Sequence, residues 1–277
     1  MRQDALLAAH ALHPSRRTEL FEMTQRPIRV AAVGDLHCRK TSAGTIAPLL
    51  SRVNEHADML LLCGDLTDYG TPEEAHVLAK ELAVARVPMA GVLGNHDYEG
   101  GAQQEITKIL TDAGVQILDG DAIEIHGIGI AGVKGFVGGF GRGTLGPWGE
   151  RMIKAFVQEA IDEALKLEAA LQRLRTERRI AIMHYAPVRG TVEGEPPEIF
   201  AYCGCGRLEE PLHRYPVDVV FHGHAHHGSP TARTENGIPV HNVALPLMRR
   251  LHAEHPGFHV VELEPLHEPI EEMPLVR

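Results

Sequence analysis

Residues 28–37 read Ile-Arg-Val-Ala-Ala-Val-Gly-Asp-Leu-His, residues 59–68 read Met-Leu-Leu-Leu-Cys-Gly-Asp-Leu-Thr-Asp, and residues 89–97 read Met-Ala-Gly-Val-Leu-Gly-Asn-His-Asp. Each segment opens on an apolar run, passes a glycine and ends in carboxylates, imidazoles or a carboxamide. A short apolar run closed by a turn residue reads as a buried strand. Asp35, Asp65 and Asn95 follow one another at intervals of 30 residues, the length of one strand–helix unit, which puts all three on one edge of one sheet. Two later segments end the same way. Ile180-Ala-Ile-Met leads to His184, and Val217-Asp-Val-Val-Phe-His-Gly leads to His224 and His226. Sites in such sheets form beyond the carboxyl ends of the strands, so the spacing predicts a single crevice.

Outward from these segments, strand and helix alternate as in an α/β fold. Strands are expected at 28–33, 59–63, 89–93, 115–118, 123–125, 128–133, 180–183, 217–221, 240–243 and 258–263. Helices are expected at 45–56, from Thr71-Pro72-Glu73-Glu74 onward, and at 102–113, where Gly114 ends the pattern. The Thr71 start has an N-cap residue, a proline at the first helical position and acidic residues in the first turn. A long helix is expected over 150–177, because Ile153, Phe156, Val157, Ala160, Ile161, Ala164 and Leu165 recur every three to four residues. Its apolar face packs on the sheet, with a seam in a homo-oligomer as the alternative. Residues 135–149 and 185–206, punctuated by glycine and proline, read as loops. The domain organisation is an N-terminal leader over 1–26, helical around Asp4 to Leu12, one domain over 27–264, and an irregular C-terminal tail over 265–277.

The chain has 277 residues, enough to bury a full core, with 44% hydrophobic residues and a formal net charge of −10. No uncharged apolar run reaches the roughly 20 residues that span a bilayer. Asp4, His10, His13 and Glu19 interrupt any apolar signal segment, so the expected location is cytoplasmic and away from membranes. The acidic balance argues against a broad nucleic-acid surface, and local clusters such as Arg173, Arg175, Arg178 and Arg179 read as solvated. The four cysteines, Cys38, Cys63, Cys203 and Cys205, are too few for a disulfide scaffold and read as reduced thiols.

Asp35 and His37 stand at i and i+2, as do His224 and His226. On an extended backbone each pair shares a face and reaches one centre, while Cys38 points away. Gly34, Gly64, Gly94 and Gly223 permit the turns and close backbone approach this needs. Burying several carboxylates and imidazoles together is costly without a compensating ion. Metal is the natural compensation.

The series Asp35-x-His37, Gly64-Asp65-x-x-Asp68, Gly94-Asn95-His96-Asp97, His184 and Gly223-His224-x-His226 resembles the calcineurin-like metallophosphoesterase signature, complete and in order over residues 35–226. The resemblance implies a four-layer α/β/β/α sandwich of two mixed sheets flanked by helices. It implies that Asp35, His37, Asp65 and His226 hold one metal ion. Asp65 then bridges to a second, completed by Asn95, His184 and His224. It places His96 over the substrate as proton donor or phosphate contact, with Asp97 orienting it, and Asp68 behind the ligands. Two ions about 3.5–4 Å apart share a hydroxide nucleophile and clamp the oxygens of an in-line displacement at phosphorus. Oxygen and imidazole donors without thiolate suit manganese, iron or zinc. Against the two carboxylates the ions carry roughly +4 to +5, so the site attracts an anionic phosphate despite the acidic chain.

Arg39, Tyr185 and Arg189, next to ligand motifs, are candidate contacts for phosphate or leaving group. His222 and His227 flank the last motif and read as structural or supporting. The remaining histidines read as surface or loop residues. The expected activity is hydrolysis of a small phosphorylated substrate, in the first place a phosphodiester such as a cyclic nucleotide. A phosphomonoesterase uses the same core. A nuclease on DNA or RNA requires a basic groove, and a non-catalytic scaffold is expected to have lost ligands that this chain keeps.

Overall fold

The computed structural model describes residues 26–251 and 257–264. The leader before Arg26 and the tail after Glu264 lie outside the described residues, and so does the expected helix around Asp4 to Leu12. The first sheet holds β1 (Ile28–Val33), β2 (Met59–Cys63), β3 (Met89–Val92), β4 (Val115–Ile117) and β11 (His259–Leu263), in the order β11-β1-β2-β3-β4. Its four leading strands pair in parallel, and β11 closes the edge antiparallel to β1. The second sheet holds β5 (Asp121–Ile125), β6 (Ile128–Gly132), β7 (Arg178–Ile182), β8 (Val219–His222), β9 (Thr231–Arg233) and β10 (Pro239–Asn242), in the order β5-β6-β7-β8-β10-β9. Its inner strands β6, β7, β8 and β10 are parallel, and β5 and β9 are antiparallel edges.

The sheets stack through one core. Val30, Leu60, Leu62 and Val92 of the first join Ile130, Ile180, Ile182 and Phe221 of the second in a single buried cluster. Every residue of β2 is buried, as expected of a central parallel strand covered on both faces. On the outer face of the first sheet lie α1 (Ala47–His56), α2 (Pro72–Leu82) and α4 (Gln103–Asp112). At the expected Thr71 start, the Glu74 carboxylate accepts the Thr71 amide at 3.3 Å. Glu81 at the far end of α2 accepts the amides of Gly44, Ile46 and Ala47 at 2.7, 2.9 and 2.9 Å, which ties α2 to the start of α1.

The second sheet is covered by α5 (Arg151–Arg173), whose Val157, Ala160, Ala164, Leu167 and Leu171 are buried. The expected stripe packs on the sheet through Val157, Ala160 and Ala164, whereas Ile153 and Leu165 are exposed, and two mixed sheets flanked by helices form the expected sandwich. The helix stops four residues short of the expected end. Leu174 turns extended and stays buried, which lets the chain enter β7 earlier than its apolar residues suggest.

Short elements went unforeseen. They are α3 (Asn95–Glu99), α6 (Phe200–Cys203), α7 (Glu209–Arg214), α8 (Leu245–Leu251) and the edge strand β9. The stretch 185–206, read as a loop, contains α6 and two 3-10 turns. All four cysteines are free, as expected, and they are buried. Among the described residues no helix is long and apolar enough to cross a membrane.

Candidate metal centre

The chemistry-bearing residues follow β1, β2, β3, β7 and β8, and the two sheets bring these five strand ends together. The backbone does this differently from the expectation of extended i, i+2 pairs. Asp35, His37, Asp65 and His224 all have positive φ, at 57°, 44°, 49° and 68°, the left-handed region that non-glycine residues seldom adopt. Extended pairing is therefore corrected: Asp35 and His37 converge because the chain coils after β1. The loops after β1 and β2 run side by side. The amides of Asp35, His37 and Cys38 donate to the carbonyls of Gly64, Asp65 and Leu66 at 2.9, 3.0 and 3.0 Å. Gly94 and Gly223 serve by their smallness, since a Cβ at either would stand 2.1 Å from Asp65 Oδ1 or 2.3 Å from Asp35 Oδ2.

Two groups of possible ligands result. In the first, ligand atoms of Asp35, His37 and His226 lie within 4.8 Å of one another. His226 Nε2 is 2.9 Å from Asp35 Oδ1 and 3.5 Å from His37 Nε2. In the second, Asp65, His184 and His224 meet the same criterion. His184 Nε2 is 2.9 Å from Asn95 Oδ1, 3.1 Å from His224 Nδ1 and 3.3 Å from Asp65 Oδ1. Asp65 also groups with His37 and His96, so it stands between the two clusters.

The outer nitrogens of the rings decide what the inner ones present. His184 Nδ1 faces the carbonyl of Cys63 at 3.0 Å, and His224 Nε2 faces the carbonyl of Tyr202 at 3.0 Å. A carbonyl only accepts, so each outer nitrogen carries the hydrogen and each inner one presents a lone pair. His184 Nε2, His224 Nδ1, Asn95 Oδ1 and Asp65 Oδ1 then point lone pairs at a common space. A cation resolves that crowding. Without one, a proton on His184 must. Burial drives the His184 pKa down, yet the charge of Asp65 and its hydrogen bond outweigh burial and raise it to about 9. His224 goes the other way, to about 4, through burial and then the proximity of His184. His37 Nδ1 lies 3.1 Å from Asp68 Oδ1 but out of line for a formed hydrogen bond, and it is buried without a satisfied partner. The donor set therefore fits two hard or borderline cations.

His96 stands at the open side of Asp65. Its amide donates to Asp65 Oδ1 at 2.9 Å, and its Nε2 is 4.0 Å from Asp65 Oδ2. The expectation that Asp97 orients this ring is overturned. Asp97 is wholly buried and accepts from the amides of Gly94, Leu66 and Thr67 at 2.8, 3.1 and 2.8 Å, and from the Thr67 hydroxyl at 2.6 Å. Its carboxylate is saturated by loop donors, and the ring is held instead by the Asp68 carbonyl, 2.6 Å from Nδ1. Burial, then the charge of Asp65, pushes the Asp97 pKa up to about 6. Asp97 is a positioning residue that locks the loops after β2 and β3 together.

The other candidates divide. Asp68 sits behind His37 and also takes Arg39 Nε at 2.7 Å, which sets Arg39 one step from the centre. Tyr185 is a buried wall, its ring 5.2 Å from that of His184 and 4.6 Å from that of His224. His227 donates its amide to Glu195 and pairs its ring with Arg250. Arg189 contacts Glu193 at 3.7 Å and the Phe200 ring at 5.4 Å, rather than the clusters. His222 is buried against Thr191 Oγ1 at 2.8 Å and the Gly223 carbonyl, a structural histidine.

Three supporting groups escaped the sequence reading. The carbonyls of Cys63 and Tyr202 have no side-chain signature. Lys134 did carry a signal, as the lone charge in an apolar stretch. Its carbonyl receives the amides of His184 and Tyr185 at 3.0 and 3.2 Å, while its buried ammonium lies 5.0 to 5.6 Å from the rings of Phe136, Tyr98 and Tyr185.

A two-sheet sandwich with clustered aspartates and histidines at its strand ends defines a metal-binding hydrolase. The chain belongs to the calcineurin-like phosphoesterase family, whose profile matches residues 28–228, and with it to the hydrolases of phosphoester bonds. Among solved structures it is similar to a phosphopantetheinyl hydrolase from Mycobacterium tuberculosis. The identity is 17%, the TM-score 0.63, and the match covers 89% of this chain and 99% of that one. It is also similar to GAP50, the anchor in the inner membrane complex of Plasmodium, at 13% identity and a TM-score of 0.50, covering 81% of this chain and 73% of that one. At these identities the likeness is one of fold. A comparison with curated proteins found no match.

Proposed function

We propose that the chain is a phosphodiesterase acting on a small, nucleotide-like diester. In this reading Asp35, His37, Asp65 and His226 hold one ion, and Asp65, Asn95, His184 and His224 hold the other. Bound there, two such ions would supply Lewis acidity toward phosphoryl oxygens and a nucleophile derived from water. The chain's own residues do the rest. The Cys63 and Tyr202 carbonyls keep the rings of His184 and His224 aimed, and Asp68 backs His37.

The observation that supports diester cleavage is the setting of His96. With Nδ1 donating to the Asp68 carbonyl, Nε2 faces the crevice, and the doubly protonated ring would hand its Nε2 proton to a departing alkoxide and be left neutral. A diester with a poor leaving group depends on that proton more than an activated ester does.

The test is bound metal together with turnover of bis-p-nitrophenyl phosphate against p-nitrophenyl phosphate in added manganese, for the wild type, Asp65→Ala and His96→Ala. Two metals per chain, diester turnover that Asp65→Ala loses, and a His96→Ala loss that is much larger on an alkyl diester than on the p-nitrophenyl diester support the reading. Monoester turnover alone moves the substrate class. Absence of both metal and turnover leaves a binding scaffold as the better account. The name of the Mycobacterium tuberculosis neighbour adds a phosphopantetheinyl ester to the substrates worth trying.

A further inference from the structure

We propose that the ring of Tyr202 determines specificity, as a platform for a planar organic group, of the nucleobase kind, carried by the diester. This rests on the phosphodiesterase reading and names the part of the substrate that the metal ligands do not address.

The first ground is position. The Tyr202 carbonyl lies 3.0 Å from His224 Nε2, so this residue abuts the centre, one imidazole away from Asp65 and His184. The second is exposure on a fixed support. Tyr202 is 63% exposed, although the strap that carries it is pinned on both sides. The Ala201 and Gly204 carbonyls accept from Gly138 and Gly139 at 2.8 and 2.9 Å, and Cys203 and Cys205 bond to the backbone of Ala186 at 3.1 Å each. Gly204 leaves no slack, since a Cβ there would stand 2.0 Å from the Ala186 carbonyl. A single exposed aromatic residue is ordinary on a surface. An exposed aromatic residue whose backbone is hydrogen-bonded on both sides and abuts a candidate metal ligand has prepaid part of the ordering that binding requires.

The third ground is the division of the rim. Beside Tyr202 lies Ile199, 41% exposed, and Phe200 beneath Arg189. The His37 and His226 side is polar instead, with Arg39 on Asp68 and Arg250 on His227. The Tyr202 side thus offers aromatic and aliphatic surface, with Arg189 over Phe200, and the His37 side offers Arg39 and Arg250. A diester whose organic arm carries a flat, apolar-faced group matches that division, because such faces stack on tyrosine irrespective of their edge pattern.

The substitution Tyr202→Ala is clean, because the carbonyl that faces His224 belongs to the backbone and remains. The experiment compares two esters with the same leaving group, thymidine 5′-(p-nitrophenyl phosphate) and methyl p-nitrophenyl phosphate, on the manganese-loaded wild type, Tyr202→Ala and Tyr202→Phe. Tyr202→Ala is expected to raise the ratio of the thymidine-ester KM to the methyl-ester KM about tenfold, with Tyr202→Phe keeping the wild-type ratio. Equal changes on both esters, or none on either, overturn the platform. Should the wild type cleave neither ester, the phosphodiesterase reading fails by itself. Calorimetric binding of thymidine monophosphate against methyl phosphate then decides the platform: a tenfold loss in Tyr202→Ala confined to the nucleotide sustains it, and equal affinities sink it.

Discussion

The backbone carbonyl of Asp68 and the imidazole of His96 face each other at 2.6 Å, through Nδ1. The contact fixes which nitrogen of His96 faces the crevice, because the carbonyl requires a hydrogen on Nδ1 and leaves Nε2 on the open side. His96→Ala is expected to lower kcat by about 10²- to 10⁴-fold on an alkyl diester. On a p-nitrophenyl ester, whose leaving group departs without a proton, the loss is expected to be much smaller. Steady-state rates on the two substrates check this, and equal losses on both would mean that His96 binds phosphate rather than donating a proton.

Asp97 faces donors alone, so replacing one of its oxygens with an amide nitrogen sets N–H against N–H. Asp97→Asn is expected to destabilise the fold by about 1–3 kcal/mol. It is also expected to reduce activity by loosening the His96 loop. Urea unfolding of the metal-free protein measures the first effect apart from the second. A variant of wild-type stability would show that the loop tolerates the clash.

Metal is expected to stabilise the fold, because it replaces repulsion among Asp65, His184, His224 and Asn95 with ligation. Ions at about 100 times their dissociation constant add about 2.7 kcal/mol, which raises Tm by about 5 °C or more in a domain of this size. Manganese and then a chelator should move the wild-type Tm up and back. Asp65→Asn, which weakens both clusters together, should move little in either direction.

The rings of His241 and His259 stack at 4.3 Å where β10 of one sheet meets β11 of the other. Burial, then His259 and Arg233, lowers the His241 pKa to about 4, against about 6.5 in an unfolded chain. The folded state therefore resists a proton that the unfolded state accepts. Stability from this residue is present above pH 6.5 and is lost as pH falls toward 4. His241→Phe should narrow the difference in stability between pH 7 and pH 5 by about 1 kcal/mol after solvent screening. Urea midpoints at the two pH values test it, and an unchanged difference removes His241 from the acid response.

What the sequence made legible was carried by side chains in fixed relation to strands. Asp35, Asp65, Asn95, His184 and His224 could be found because each ends an apolar run, and the runs at 28–33 and 59–63 became strands with those bounds. The long amphipathic helix could be found because its stripe repeats over many turns. Short elements such as α3, α6 and β9 were hidden, since they owe their form to contacts with distant segments rather than to local pattern. The same holds for the support of the site. The Cys63 and Tyr202 carbonyls belong to every residue type alike, and the role of Asp97 depends on which donors surround it. Motif order pointed to His96 and Asp97 but not to their partners.

Asp35, His37, Asp65 and His224 hold the left-handed backbone that their side chains would not choose by themselves. Each such residue costs the fold on the order of 1 kcal/mol or more, and glycine would relieve it. On the proposed metal-binding reading, stability and ligation therefore pull in opposite directions at these four positions. A directed-evolution campaign that rewarded heat tolerance in metal-free medium would drift toward glycine here and would arrive at a sturdier sandwich with an inert crevice. Thermostabilising designs for this chain belong on the outer helices, with the strand ends kept as they are.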